Sequence, residues 1–229
     1  MSSTFTIVRT SGSTVPYEMD SFEMIGNYAT DVSVLAVNPD APWSTFEELI
    51  AFARNNPGKL TYGSAGIGTV SALGMQSITN MFKLDITSVP FAGGAQVAIA
   101  LLGRHVDVGL VPYSTGAQML REGKLRPLAT TAAERMSTLP DIPTLSEKGL
   151  SIKGLNLVLG LYAPRGLPLG NSSVLVHRLQ QTMQDPSVGA KLDSVGLFAQ
   201  YENPAAARER LEHELHDIVE LDRKLKQAQ

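Results

Sequence analysis

The stretch that decides the fold is Leu60-Thr61-Tyr62-Gly63-Ser64-Ala65-Gly66-Ile67-Gly68-Thr69-Val70-Ser71. A short apolar run ends in a loop of small residues, and an amphipathic segment follows with Leu73, Met75, Ile78 and Met81 at its apolar positions. That order predicts strand, tight loop, helix. Glycines permit close backbone approach to a bound group, and a new helix offers N–H groups at the positive end of its dipole. Thr69 and Ser71 add hydroxyls able to cap that helix. The loop is suited to holding an anion, most simply a carboxylate. An ordinary strand-to-helix turn uses the same residue types, so the loop alone leaves both readings open.

Working outward, the same unit recurs. A strand over 86–89 leads into Pro90-Phe91-Ala92-Gly93-Gly94-Ala95 and a helix over about 95–102. A strand over 106–111, a helix capped by Ser114 and a strand over 125–130 follow. Upstream, residues 5–8, 24–28 and 32–37 read as extended, and Asn38-Pro39-Asp40-Ala41-Pro42 breaks the pattern. Ser44 is then placed to cap a helix carrying Phe46, Leu49, Ile50 and Ala53. Strands alternating with helices of this length predict parallel β/α layers. Beyond Arg135 the chain is irregular as far as Pro143, and a strand is expected over 155–162. Helices are expected over about 172–184 and 186–195. A last one after Pro204 has Leu211, Leu215, Ile218, Leu221 and Leu225 on one stripe.

Composition excludes several function classes. A net charge of -3 gives no basic footprint for nucleic acid or an anionic membrane. No apolar run approaches the ~20 residues of a membrane span. The absence of cysteine removes disulfides, thiolate catalysis and Cys-ligated metals. The opening Met1-Ser2-Ser3-Thr4-Phe5-Thr6-Ile7-Val8 has neither a basic region nor a long apolar one, so as written it carries no export signal.

Other chemistries fit less well. Gly66-Ile67-Gly68-Thr69-Val70-Ser71 resembles a dinucleotide fingerprint with serine at its third glycine, but Asp85 precedes the next strand where an acidic residue is expected near its end. Ser64 lies in Gly-Ser-Ala-Gly and not in a Gly-x-Ser-x-Gly elbow, and nothing brings His105 and Asp107 to it. Asp107 reads as a structural or cleft-edge acceptor. His213, His216 and Asp217 lie on the last helix with Glu209, Glu212 and Glu214, which reads as a solvated helix face and not a metal site. Trp43 reads as a packing residue.

Four blocks carry a family resemblance: NPGKLTYGSAGIGTVSALGMQSI (56–78), VPFAGGAQVAIALLGRHVDVGL (89–110), GKLRPLATTAAERMSTLPDIPTLSEKGL (123–150) and GLYAPRGLP (160–168). In order and spacing they resemble the tripartite tricarboxylate transporter substrate-binding receptors, or Bug receptors, over nearly the whole chain from about Asp20. The resemblance implies an α/β, two-lobed periplasmic-binding-protein type II fold that binds a small carboxylate between its lobes and hands it to a membrane permease. It implies no catalysis, no cofactor and no metal. The carboxylate would be held by backbone amides, hydroxyls and ordered waters. By position, the second-lobe half of that site is Ser64, Ala65, Gly66, Gly68 and Thr69 with Phe91, Gly93, Gly94 and Ala95.

Lobe two is placed at 40–130, and lobe one at 1–39 with 131–229. The crossings are then near Val37-Asn38-Pro39 and Leu128-Ala129-Thr130, and two crossings make a hinge. Family members begin with an export signal and a further ligand-loop unit, so the resemblance implies roughly 60–80 mature residues ahead of this sequence and an incomplete first lobe. Periplasmic location follows from the resemblance; the sequence as a full product would be cytoplasmic. Self-association through lobe one is a further expectation. Two other functions stay open: an interaction or sensing module that has lost its ligand, and a small-molecule enzyme using the loop at 66–71 for a phosphate.

Overall fold

The computed structural model describes residues 19–66, 69–150 and 156–227. Its strands form two sheets, and the larger follows from a fully apolar strand. β2 (Ser33–Val37) is buried at every position, and Val34, Leu35, Ala36 and Val37 have no exposed surface. A strand buried on both faces needs cover on both. Leu35 and Val37 join one cluster with Leu49 and Ile50 of α1 (Phe46–Asn55) and with Met75 and Ile78 of α2 (Val70–Met81). Val34 and Ala36 join another with Val97 and Leu101 of α3 (Gly94–Leu102) and Ala117 of α4 (Tyr113–Arg121). The period-two alternation of one strand thus feeds two cores, each such buried side chain contributing about 1.5–3 kcal/mol.

β2 lies between β5 (Val108–Pro112) and β6 (Arg126–Thr130), with β3 (Leu60–Ser64) and β4 (Ile86–Pro90) beyond, in the order β4-β3-β5-β2-β6. β3 is parallel to β4 and β5, and β2 is antiparallel to β5 and β6. The expected parallel layer therefore holds for four strands, and β2 alone runs the other way. It arrives from the second sheet after the single residue Val32, without the helical crossover that parallel neighbours need.

The second sheet has the order β7-β1-β8, antiparallel throughout, from β1 (Phe22–Asp31), β7 (Leu157–Pro164) and β8 (Phe198–Glu202). Helices α5 (Leu169–Met183), α6 (Pro186–Ser194) and α7 (Pro204–Gln227) accompany it. One core cluster there joins Met24, Ala207 and Leu211, with Tyr162 against it, and Ile25, Ala29, Val158, Ala163 and Ile218 are buried as well. β8 was not expected: Tyr201-Glu202 reads as the lead into a helix, because the strand is short and stops two residues before Pro204. The strand expected over 5–8 lies outside the described residues.

The structure moves both crossings. β2 belongs to the larger sheet, so the chain changes sheets at Val32 and not at 37–39. Asn38 and its prolines only turn the chain: Ala41 N–H returns to Asn38 C=O, and Asn38 Nδ2 donates to the C-terminal carbonyls of α3 at Leu101 and Leu102. On the return, Thr130 bridges Thr144, Met136 enters one core, and Leu145 and Leu150 enter the other. Residues 131–150 thus stay with the larger body.

Two local corrections follow. α1 is capped by Thr45 and not Ser44, because Thr45 and Glu48 form a reciprocal capping box. On α7 the buried stripe is Ala207, Leu211, Glu214 and Ile218, so Glu214 does not share the solvated face with exposed His213 and His216; it meets Arg210 Nη1 at 3.6 Å.

Candidate anion-binding site at the strand ends

β3 and β4 run side by side, Ser64 level with Pro90, and each ends in a loop that opens a helix. Phe91 N–H donates to Ser64 C=O at 2.7 Å, one residue past the end of β4. That bond ties the second loop to the first. Both loops therefore emerge together at the carboxyl ends of adjacent parallel strands, with the first turns of α2 and α3 behind them.

In the first loop Thr69 is the N-cap of α2. Its Oγ1 accepts from Ala72 N–H at 3.3 Å and donates to Gly66 C=O at 2.8 Å. The hydroxyl thus shapes the loop, and its proton is already placed. Gly66 sits at φ +107°, which L side chains rarely adopt, while a Cβ there would meet only Phe91 O at an ordinary 3.6 Å. Backbone conformation, not space, calls for glycine. Ser64 is buried, and Ala65 and Gly66 are half-buried. Gly68 lies outside the described residues.

In the second loop the two glycines separate in role. A Cβ on Gly94 would stand 2.7 Å from Pro112 Cδ, so that glycine lets α3 pack on the end of β5. Gly93, the N-cap of α3, has extended backbone, and a Cβ there would meet nothing within 4 Å. It leaves open space beside the first-turn amides of Gly94 and Ala95, which have no intrahelical partner. Gln96 Oε1 accepts from Ala92 N–H at 2.9 Å and steadies the turn. No residue of either loop is charged, so any anion held here relies on amides and helix dipoles.

A third strand end lies at the same side and was not anticipated. β5, parallel to β3, passes through Pro112 straight into α4. There Ser114 N–H and Oγ–H donate to the Asp31 carboxylate at 3.1 and 2.5 Å. Ser114 is therefore not the cap of α4; the carboxylate on its N-terminus comes from β1. Burial pushes the Asp31 carboxyl above its ordinary value, opposed by hydrogen bonds from Ser114 and the Tyr113 backbone. No glycine marks this loop, and its partner is 83 residues away in sequence.

Asp107 is corrected from the cleft edge. Its Oδ2 accepts from Thr61 N–H at 2.7 Å and Thr61 Oγ1 at 2.9 Å, at the amino end of β3 and β5, roughly 10 Å along the strand from Ser64. It closes the far end of the sheet, and His105 lies at that end too. Ser64, His105 and Asp107 are not brought together. Asp85 likewise stands at the amino end of β4, where its carbonyl accepts from Gly58 N–H at 2.9 Å, away from the fingerprint-like loop. Trp43 packs on Phe52 at 4.8 Å inside the larger body, a packing residue as read. Among the described residues no three His, Asp or Glu side chains gather as a metal site, and no helix is long and apolar enough to cross a membrane.

With this geometry in view, the likenesses to other proteins are direct. The tripartite tricarboxylate transporter family receptor profile matches residues 2–216. A Bordetella pertussis UPF0065 protein is 33% identical over 164 residues, covering 72% of this chain and 51% of the relative. A Cupriavidus necator UPF0065 protein is 33% identical over 169 residues, 74% of this chain and 51% of the relative. The chain thus spans about half the length of these relatives. The solved periplasmic binding protein BugD superposes with TM-score 0.85 at 27% identity, over 98% of this chain and 76% of BugD. An R. palustris protein solved with adipate superposes with TM-score 0.86 at 25% identity, over 93% of this chain and 72% of that one.

Proposed function

Because the chain belongs to the tripartite tricarboxylate transporter receptor family, we propose that it holds a small carboxylate at the paired strand ends of β3 and β4 and delivers it to a membrane permease of that transporter class. The family and the neighbours described above are receptors and binding proteins, not enzymes. A periplasmic place of action follows from the same kinship.

The observation that carries this reading is the bond from Phe91 N–H to Ser64 C=O, which ties together two loops that each lead into a helix, with Gly93 beside open space. Carboxylate oxygens accept hydrogen bonds, and first-turn amides at a positive dipole end donate them without a competing cation. Ser64, Ala65 and Gly66 form one wall; Phe91, Gly93, Gly94 and Ala95 form the other. Thr69 acts by holding Gly66. The neighbour solved with adipate supports an aliphatic dicarboxylate as the first ligand to try. The two lobes are the five-stranded body over 33–150 and the three-stranded body, and the ligand's far end would meet the second.

Thermal unfolding with adipate and malate tests the site, since a ligand bound only by the native state raises apparent stability by about 2.7 kcal/mol at one hundred times Kd. Gly93→Val places its side chain in open space, so the fold should persist while adipate stabilisation disappears. Equal stabilisation of wild type and Gly93→Val sinks the assignment.

One observation favours a second role for the smaller body, self-association. Leu161 on edge strand β7 is 40% exposed, and Val174 on α5 is 57% exposed. Edges and apolar patches of this kind recruit another strand or chain. Light scattering of wild type and Leu161→Lys separates the cases: a dimer lost in the variant supports pairing, and a monomeric wild type removes it.

A further inference from the structure

The first passage of the chain between its two bodies runs past the N-terminus of α4, and Asn156, just ahead of β7, is tied to that passage through Thr131. Val32 C=O, at the first passage, accepts from Tyr113 N–H at 2.8 Å. Thr131, leaving β6, donates its N–H to Ser33 C=O at 2.9 Å, while its Oγ1 accepts from Ser33 N–H and bonds Asn156 Oδ1 at 2.7 Å. From the three-stranded body, Phe198 stacks on Tyr113 at 6.1 Å. Gly196 lies so close to α4 that a Cβ would stand 2.9 Å from the Ser114 Cα. In the middle is Asp31, 4% exposed, with its carboxylate on Ser114 N–H and Oγ.

This is an unusual use of a helix N-terminus at a candidate anion site. Three helices open at one end of the sheet, two of them after the candidate loops. The third is already filled by a carboxylate from the other body of the same chain. We propose that the Asp31 carboxyl joins the two bodies at α4, and that opening of this junction, which returns the group to water, is coupled to its ionisation.

The sign follows from the balance of forces on that group. Burial disfavours the charged form and pushes the carboxyl up, while hydrogen bonds from Ser114 and the Tyr113 N–H pull it back by less. The residues facing it are Ser114 and Tyr113 from α4, Leu157 opposite it on β7, and Val32 and Ser33 next in the chain. Of these only Tyr113 can titrate, and among the described residues no cation and no second carboxylate enters the balance. The closed junction therefore binds a proton more tightly than an opened one. Acid holds it shut. Above the raised value, the ionised carboxylate favours the hydrated, open form. In the receptor reading, which this consequence rests on, the neutral-pH protein would be poised to open and admit its ligand.

The test needs no ligand, so a failure to bind adipate leaves it intact. Hydrogen exchange at the Tyr113 and Ser114 amides, corrected for intrinsic rates, reads the opening constant across pH. Between the ordinary carboxylate value and the raised one, that constant should climb by up to about tenfold per pH unit in the wild type. Asp31→Asn should leave it flat and low, with slower exchange than wild type at neutral pH. Ser114→Ala removes a bond that favours the charged form, so the midpoint should move to higher pH. Exchange at these amides that is independent of pH in the wild type overturns the coupling. So does an unmoved midpoint in Ser114→Ala, an arm that stands even if the Asn variant fails to fold.

Discussion

The two bodies of this molecule solve the same burial problem with unequal means. The five-stranded sheet is covered on both faces, and its interior strand β2 has four residues with no exposed surface. In the three-stranded body the described buried apolar residues are Met24, Ile25, Ala29, Val158, Ala163, Ala207, Leu211 and Ile218, and α6 beside it buries no residue at all. Polar contacts take up part of the difference. Asn27 Nδ2 donates to Glu202 Oε2 at 2.7 Å, Arg210 Nε donates to Glu202 Oε1 at 2.6 Å, and Thr30 Oγ1 donates to Gln200 at 2.9 Å. The paired candidate loops are built entirely on the first body. If that body is the more stable of the two, amides at fixed spacing stand on it and the second body opens first, which core substitutions and hydrogen exchange test.

The strongest way to break this contrast is to hollow each core in turn. Leu35→Ala removes a fully buried side chain between α1 and α2 and should cost about 2–5 kcal/mol. Met24→Ala, at 7% exposure in the three-stranded body, removes a less completely buried side chain and should cost less, toward about 2 kcal/mol. Native-state hydrogen exchange then locates the damage. Amides of β2 and β5 should exchange slowest in the wild type, ahead of β1 and β7. Equal protection in both sheets would mean that the bodies open as one unit, and the contrast would be one of composition only.

The next test separates polar from apolar support. Arg210 serves Glu202 and Glu214, whose side chains are 15% and 8% exposed. Arg210→Met leaves two half-paired carboxylates close together and should cost about 1–3 kcal/mol, with faster exchange confined to β1, β8 and α7. Arg210→Lys should recover only part, since one ammonium does not reproduce the guanidinium fork. A loss spread equally over β2 and β5 would show that the cluster holds the whole chain together.

How far the sequence reached tracks the same divide. The loops at 64–69 and 91–95 were legible because small residues after an apolar run leave few other structures available. β2 was legible as a buried strand from Val34-Leu35-Ala36-Val37, but not its direction, which depends on β1 belonging to another sheet. Val37-Asn38-Pro39 reads as a passage between lobes; proline announces a turn and not where the turn leads. The third strand end escaped notice since Pro112-Tyr113-Ser114 has no glycine and its partner Asp31 is remote in sequence. Asp107 reads as a structural or cleft-edge acceptor, and only the register with Thr61 decides for the structural role.

The smallest effect sharpens the contrast between interior and rim through sign as well as size. Lys148, in the turn after Leu145, pairs with Glu47 at the start of α1, beside a groove lined by Phe46, Ile50 and Phe82. Its hydrogen bond, first among several causes, holds the Glu47 carboxyl below its ordinary 4.5. A depressed carboxyl contributes stability that is present above the ordinary value and lost as pH falls through the lowered one. Glu47 is exposed, so the contribution is below about 1 kcal/mol. Asp31 works the other way: its raised carboxyl contributes stability below 3.8 that is lost as pH rises toward the raised value. Urea unfolding of Lys148→Met should therefore show a slight loss at pH 7 and none at pH 3. Asp31→Asn should be at least as stable as wild type at pH 7 and should lose that advantage in acid. An equal loss for Lys148→Met at both pH values would assign the effect to how the side chain fits the groove, and not to its charge.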